Sequence, residues 1–463
     1  MTTAVLTPAP VTDLGALRTR LIGTVAEPGQ PGYDLATPWN VAVAMTPRAV
    51  VAVADAQDVR ETVRFAGDHG LRVMAQRTGH GAAALDGDDV LMIHTGALDE
   101  VRVDPERRCA RVGAGAVWQQ VIDAAAPHGL VGLAGSSLGV GVVGMVTGGG
   151  IGPLTRTYGL SSDSVRALEV VTGDGHLVRA TPYEHADLFW GLRGGKGTLG
   201  VVCAVELGLL PAAELYAGAL YFDGADAPAV LHAWRKWTQD LPEHVNTSVA
   251  LLRLPQLPDV PPPLAGRATL AVRFTSVEDA ATCEAILAPL RAVATPVLDS
   301  VRPMSPVALG SVHADPVEPM PVHDRTAMLS GLTTEAVDAL LAVAGPDTAS
   351  PQVIVEVRLL GGALARPGGA ASAFCHRDAA YSLLTIGVLA PDIAAAVPAH
   401  AEQVTAALDP WATGGAMPNF ASGTGRERAR RCYDEDTRVW LAALADRHDP
   451  AGVLRVGPVV REG

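Results

Sequence analysis

Gly139-Val140-Gly141-Val142-Val143-Gly144-Met145-Val146-Thr147-Gly148-Gly149-Gly150-Ile151-Gly152 is the stretch whose reading decides the fold. Gly139-x-Gly141-x-x-Gly144 spells the dinucleotide fingerprint, but that motif needs a strand in front of it and a helix behind it. Here Gly135-Ser136-Ser137 stands in front, and Gly148, Gly149 and Gly150 follow where the helix should begin. The Rossmann reading therefore fails. Two further glycine clusters flank this one, Gln76-Arg77-Thr78-Gly79-His80-Gly81 and Leu188-Phe189-Trp190-Gly191-Leu192-Arg193-Gly194-Gly195-Lys196-Gly197. Density of this kind lets backbone amides approach a ligand closely.

Outward from the clusters the N-terminal part alternates strand and helix. Ala49 to Ala54 reads as a strand, Asp55 as the N-cap of a helix to His69, and Leu71 to Ala75, Val90 to Ile93 and Ala110 to Val112 as further strands. Leu168 to Val171 and Leu177 to Ala180 form a hairpin around Asp174-Gly175, because that dipeptide accepts the positive φ angles of a tight turn. Val201 to Leu210 closes the unit. From Ala212 the elements lengthen into a second unit, with a helix through Trp234 and Trp237 and strands at Val353 to Leu360 and Tyr381 to Leu389. The proline-rich stretches Pro255 to Pro263 and Pro303 to Pro321 read as its surface loops.

Composition narrows the function classes. A formal net charge of −14 over 463 residues repels nucleic-acid backbones and anionic membrane surfaces, so neither partner is expected. Only Lys196 and Lys236 among the 35 basic residues are lysines, which leaves no lysine-rich anion patch. Five scattered cysteines, none in C-x-x-C spacing, point away from a zinc site or disulfide framework and toward a reducing compartment. Met1 to Gly15 holds no Lys or Arg ahead of its short apolar stretch, so no secretory leader is expected and the location is read as cytoplasmic.

Taken in order, the three glycine clusters with Tyr158-Gly159-Leu160 and Asp163 resemble the berberine bridge enzyme-like FAD-linked oxidases, which carry a PCMH-type FAD-binding domain. The resemblance runs over roughly residues 35 to 210 and returns at Phe374-Cys375-His376-Arg377-Asp378, Pro418-Asn419-Phe420 and His448-Asp449-Pro450. It implies an α+β chain: an FAD-binding domain over residues 1–210, a central substrate domain over 211–410 whose antiparallel sheet is covered by helices, and a segment 411–463 returning to the first domain.

The same resemblance makes His80 the residue expected to carry FAD covalently, with Thr78, Gly79 and Gly81 in its loop. Ser137 stands where many relatives have a second, cysteine tether, so a single tether is implied. Gly141, Gly144, Gly148, Gly149, Gly150, Gly152, Asp163, Gly200 and Val202 are the remaining expected cofactor contacts. The family oxidises an alcohol or amine of a small organic molecule, often in secondary metabolism, passing a hydride to flavin N5 and electrons on to molecular oxygen.

One departure bears on mechanism. Met417 occupies the place two residues before the Asn419-Phe420 pair where relatives often have a tyrosine base, and methionine accepts no proton. Glu356 or Tyr381 on candidate strands of the second domain is the expected replacement, Glu356 with a pKa raised by desolvation, and Asn419 is the remaining polar candidate near the ring. Met417 also motivates two alternatives, an oxygenase or cyclase that dispenses with the tyrosine, and a non-enzymatic FAD-binding protein. A homodimer is the expected assembly.

Overall fold

The computed structural model describes residues 13–197, 199–421, 423 and 425–456. The first twelve residues and the last seven of the segment 411–463 lie outside these. Val59, Val63 and Ala66 recur three and four residues apart and are fully buried, giving the helix Ala56–Asp68 one apolar face. Asp55 caps it, accepting from the Asp58 amide at 2.9 Å. The helix lies on a four-stranded sheet in the order Thr24–Ala26, Met45–Ala52, Leu85–His94, Arg72–Gln76, with its last two pairings parallel. A five-stranded antiparallel sheet completes this domain, in the order Val101–Asp104, Cys109–Gly113, Val201–Gly208, Val165–Val171, Leu177–Ala180. The hairpin expected at Asp174-Gly175 forms, with Gly175 at a φ of 76°.

The central domain is one antiparallel sheet. Its main order is Leu298–Asp299, Leu215–Asp223, Ala268–Ser276, Val245–Arg253, Ile354–Leu359, Tyr381–Val388, Val322–Leu329, with Arg302–Met304 paired beside Leu215–Asp223. The helices Ala227–Trp237, Ala280–Arg291, Thr334–Ala344 and Ala396–Ala407 pack on one face, where Val272, Phe274, Val355, Val357 and Leu383 meet Trp234, Leu287, Leu340 and Val404. Alternation sends Arg273, Ser248, Glu356, Leu384 and Thr326 to the opposite face, toward the first domain.

The strand Val322–Leu329 escaped sequence reading because His323-Asp324-Arg325-Thr326 gives it no apolar stripe. The proline-rich stretch before it is ordered rather than a plain loop, with Pro306–Val312 forming a 3-10 helix.

Buried polar contacts tie the parts together. Arg156 reaches across to the second domain, where its Nε donates to the Val245 carbonyl at 2.8 Å and its Nη1 to the Leu360 carbonyl. After the helix Glu435–His448, Asp449 is fully buried and accepts from the Val453 and Leu454 amides at 2.8 and 2.9 Å, folding the last described residues back onto the first domain. Val453 and Leu454 then pack with Val59 and Phe65, and the Val73 amide donates to the Val453 carbonyl at 2.7 Å. No helix among the described residues is long and apolar enough to cross a membrane.

Removing the buried carboxylate strands two amides. Asp449→Ala is expected to cost about 2–4 kcal/mol, read as a lowered midpoint in urea unfolding, whereas a change at exposed Glu435, at the far end of the same helix, should leave the midpoint nearly unmoved.

Candidate active site

The three glycine clusters converge on one cleft. A Cβ placed on Gly144 or Gly197 would meet nothing within 4 Å, one on Gly81 only the Lys196 Nζ at 3.8 Å, and one on Gly139 only the Ser137 Oγ at 3.8 Å. These positions wall an open groove in which bare backbone faces outward, as close approach by a flat, extended dinucleotide requires. Gly148, Gly149, Gly150 and Gly152 lie deeper and are glycine for another reason. A side chain there would strike Asn419, Phe374, Ser161 or the Ala134 carbonyl, so the loop Gly148 to Gly152 is clamped by protein on its far side.

At one end of the groove, Gly79 takes a φ of 71° and presses against Pro38, which turns the loop so that His80 stands over Trp39. The two rings stack with centroids 4.9 Å apart and 15° between planes. His80 Nδ1 pairs with Thr78 Oγ1 at 2.8 Å. Burial drives the His80 pKa down to about 4, against a weaker pull upward from Asp315, so the imidazole is neutral at physiological pH. At the other end Asn419 donates from Nδ2 to the Met145 carbonyl at 2.8 Å and accepts from Lys196 Nζ, which also reaches the Gly144 carbonyl at 3.2 Å. Burial, with Arg428 nearby, pulls the Lys196 pKa down to about 7. Lys196 was not singled out from sequence as a site residue, although one of two lysines set among glycines was a legible signal.

The sheet roofs this groove. Asn40, next to Trp39, latches the start of the strand Val322–Leu329 by donating to the Val322 carbonyl at 2.9 Å and accepting its amide at 3.1 Å. Further along, Thr326 Oγ1 donates to the Phe420 carbonyl at 3.1 Å. Asp324 lies between these two fastenings, on the same face as Thr326. Burial raises its pKa above the ordinary carboxyl value, opposed by a smaller effect of His323. Sequence reading missed it along with its strand.

Several expected site residues stand elsewhere. Glu356 faces the first domain, but its carboxylate is held by Arg273 at 2.9 Å and Arg358 at 3.2 Å. Burial alone would raise its pKa; the two guanidiniums, with His313, outweigh it and hold the group well below the usual range, the reverse of the expectation. Tyr381 is on the helix-covered face, packed against Trp234 and hydrogen-bonded to Thr238 Oγ1 at 2.9 Å, because register pairs it with inward-facing Leu359. Asp163 is spent on the Arg377 fork at 2.7 and 3.0 Å and on the Leu160 amide. Val202 stands in the ladder opposite Val170 with its side chain in the core, and Gly200 is packed against Val170, so neither side faces the groove. Gly141 and Ser137 stay at its margin, Gly141 leading into the short helix Val142–Val146.

Residues 47–181 match the model of the FAD binding domain. This is a flavoprotein with the berberine bridge enzyme-like fold. The flavoprotein is 33% identical over 191 residues to (R)-6-hydroxynicotine oxidase of Paenarthrobacter nicotinovorans, covering 40% of this chain and 41% of that protein. The matched stretch thus spans about two fifths of that curated relative. Over the whole chain its fold superposes on 6-hydroxy-D-nicotine oxidase from Arthrobacter nicotinovorans with a TM-score of 0.83 at 24% identity, covering 96% of this chain and 98% of that one. Berberine bridge enzyme from Eschscholzia californica superposes with a TM-score of 0.80 at 18% identity, covering 96% and 98%. The groove fits FAD: bare glycines line it, a neutral imidazole closes one end, and Lys196 and Asn419 close the other.

Since Gly144 carries open space where a side chain would go, Gly144→Leu should leave thermal unfolding of the flavin-free protein within a few degrees of wild type. The same variant should lower flavin content at purification at least severalfold, read from absorbance near 450 nm against protein.

Proposed function

We propose that the flavoprotein is an FAD-dependent oxidase that removes two electrons and two protons from an alcohol or amine of a small organic molecule, in secondary metabolism. FAD held in the groove supplies the two-electron acceptor, and molecular oxygen restores it. The observation that carries the reading is Asp324: a desolvated carboxyl on the roof of a glycine-walled groove, its pKa raised by burial with no guanidinium among the groups that act on it. A carboxylate whose pKa burial has raised is a better base than an ion-paired one. Asp324 takes the proton from the substrate hydroxyl or amine as the adjoining C–H bond gives up its hydride, leaving C=O or C=N. Met328, four residues along the same strand face, joins Met417, Phe374 and Ile151 in an apolar cluster that would keep water from the reacting carbon. Met417 needs no proton-accepting role in this scheme.

We further propose that His80 bonds covalently to FAD. A neutral imidazole keeps a nucleophilic lone pair, and Trp39 and Thr78 fix the ring. The five cysteines are all free, which supports a reducing, cytoplasmic location.

Acid denaturation should leave flavin on the peptide containing His80, and His80→Ala should release it. With a substrate found by following peroxide release from a panel of alcohols and amines, Asp324→Asn should lower kcat at least about 100-fold at unchanged flavin content. The base must be ionised, so wild-type kcat/KM should fall as pH drops through the raised Asp324 pKa, a limb that Asp324→Asn removes. A kcat within threefold of wild type would eliminate Asp324 as the base.

A further inference from the structure

A cavity of about 20 Å³ separates the domains, bounded by Gly152 and Pro153 on one side and by Ser248, Arg273, His313 and Arg358 on the other. Arg273, Ser248 and Arg358 stand in register on three adjacent strands, so the hydroxyl is flanked by two guanidiniums. Their neighbourhood is over-supplied with positive charge. Arg273 and Arg358 share the single carboxylate of Glu356, while Arg156, also lining the cavity, is satisfied by main-chain carbonyls.

It is also over-supplied with donors. Arg273 Nε, Ser248 Oγ and His313 Nδ1 are buried without a hydrogen-bond partner among the described residues. Arg273 and Ser248 are 4% and 2% exposed. His313 Nε2 lies 3.1 Å from an Arg358 nitrogen, which can only donate, and 3.4 Å from Glu356 Oε1, which can only accept, so these contacts do not place the ring proton on one nitrogen. Buried polar atoms without partners are costly, and natural structures rarely leave three of them together.

We propose that the cavity seats the carboxylate of an organic anion, and that this anion is the molecule oxidised at the flavin. The proposal rests on the oxidase reading and deepens it. A carboxylate is acceptor-only, with about four lone-pair sites, and matches a guanidinium N–H and a hydroxyl together. Glu356 would repel it, but two guanidiniums already offset that charge. The cavity takes a head-group and no more, so the rest of the molecule lies along the same sheet face as Asp324. Arg358 and Asp324 are two strands and four residues apart, roughly 16 Å between backbones by sheet spacing. The Arg358 and Asp324 side chains together with a carboxylate on a short chain bearing one ring would fill that span.

The test titrates the FAD-loaded protein by calorimetry with 3-phenylpropionate, its neutral analogue 3-phenylpropanamide, formate and chloride. The acid should bind at least about 10-fold more tightly than the amide, and Arg273→Gln should erase the difference. Should that variant fail to fold, Ser248→Ala keeps every charge, removes one donor and should weaken the acid severalfold with no effect on the amide. Equal binding of acid and amide overturns the proposal. So does chloride or formate matching 3-phenylpropionate in affinity, which would make the cavity an inorganic counter-ion site. Flavin missing from the purified protein would instead sink the oxidase reading, an outcome separate from the titration.

Discussion

Backbone meets protein with no room for side chains at Gly148, Gly149, Gly150 and Gly152, and the rest of the molecule is arranged around that contact. The loop is touched by Asn419 from the C-terminal segment, by Phe374 from the second domain and by Ala134 from its own domain. A methyl group at any of these points would push a different part of the chain away. The groove in front of the loop therefore owes its shape to parts of the chain separated by more than two hundred residues, and the loop's glycines are structural even though they border the cofactor's place. Gly144 and Gly197 differ, because their missing side chains leave open space rather than close packing.

Above this loop a single sheet face presents two carboxyl groups in opposite electrostatic states. Glu356 is deeper, yet its pKa falls, since Arg273 and Arg358 return in Coulomb attraction more than desolvation removes. Asp324 is less deeply placed, yet its pKa rises, since no guanidinium accompanies it. Environment rather than residue type divides the labour: one carboxylate is a fixed charge that orders arginines, and the other is free to exchange a proton. Burial acts on the cationic side too, lowering His80 to about 4, where the ring is neutral, and Lys196 to about 7, where the amine exchanges its charge near neutral pH.

The candidate site was partly legible. The glycine clusters were visible because their density and spacing are themselves the signal, His80 and Asn419 through the family resemblance those clusters carry, and the Asp174-Gly175 hairpin because its turn is local. The strand Val322–Leu329 was invisible, since half its polar residues face a groove instead of water and leave no alternating apolar pattern. Tyr381 was misplaced because a strand's two faces cannot be told apart until its partners are known; pairing with Leu359 turned it toward the helices. Asp163 read as a cofactor contact until Arg377, far along the chain, was seen to occupy it.

Sequence alone therefore determined where backbone must be bare and the strand–helix alternation of the first domain, consequences of short-range sterics and periodicity, while the candidate histidine followed from the family resemblance. Tertiary structure decided which carboxyl group is free and which is paired, and which face each strand shows the groove. Those outcomes depend on charges and register partners brought together from distant segments, and no local pattern encodes the distance between Asp324 and an arginine.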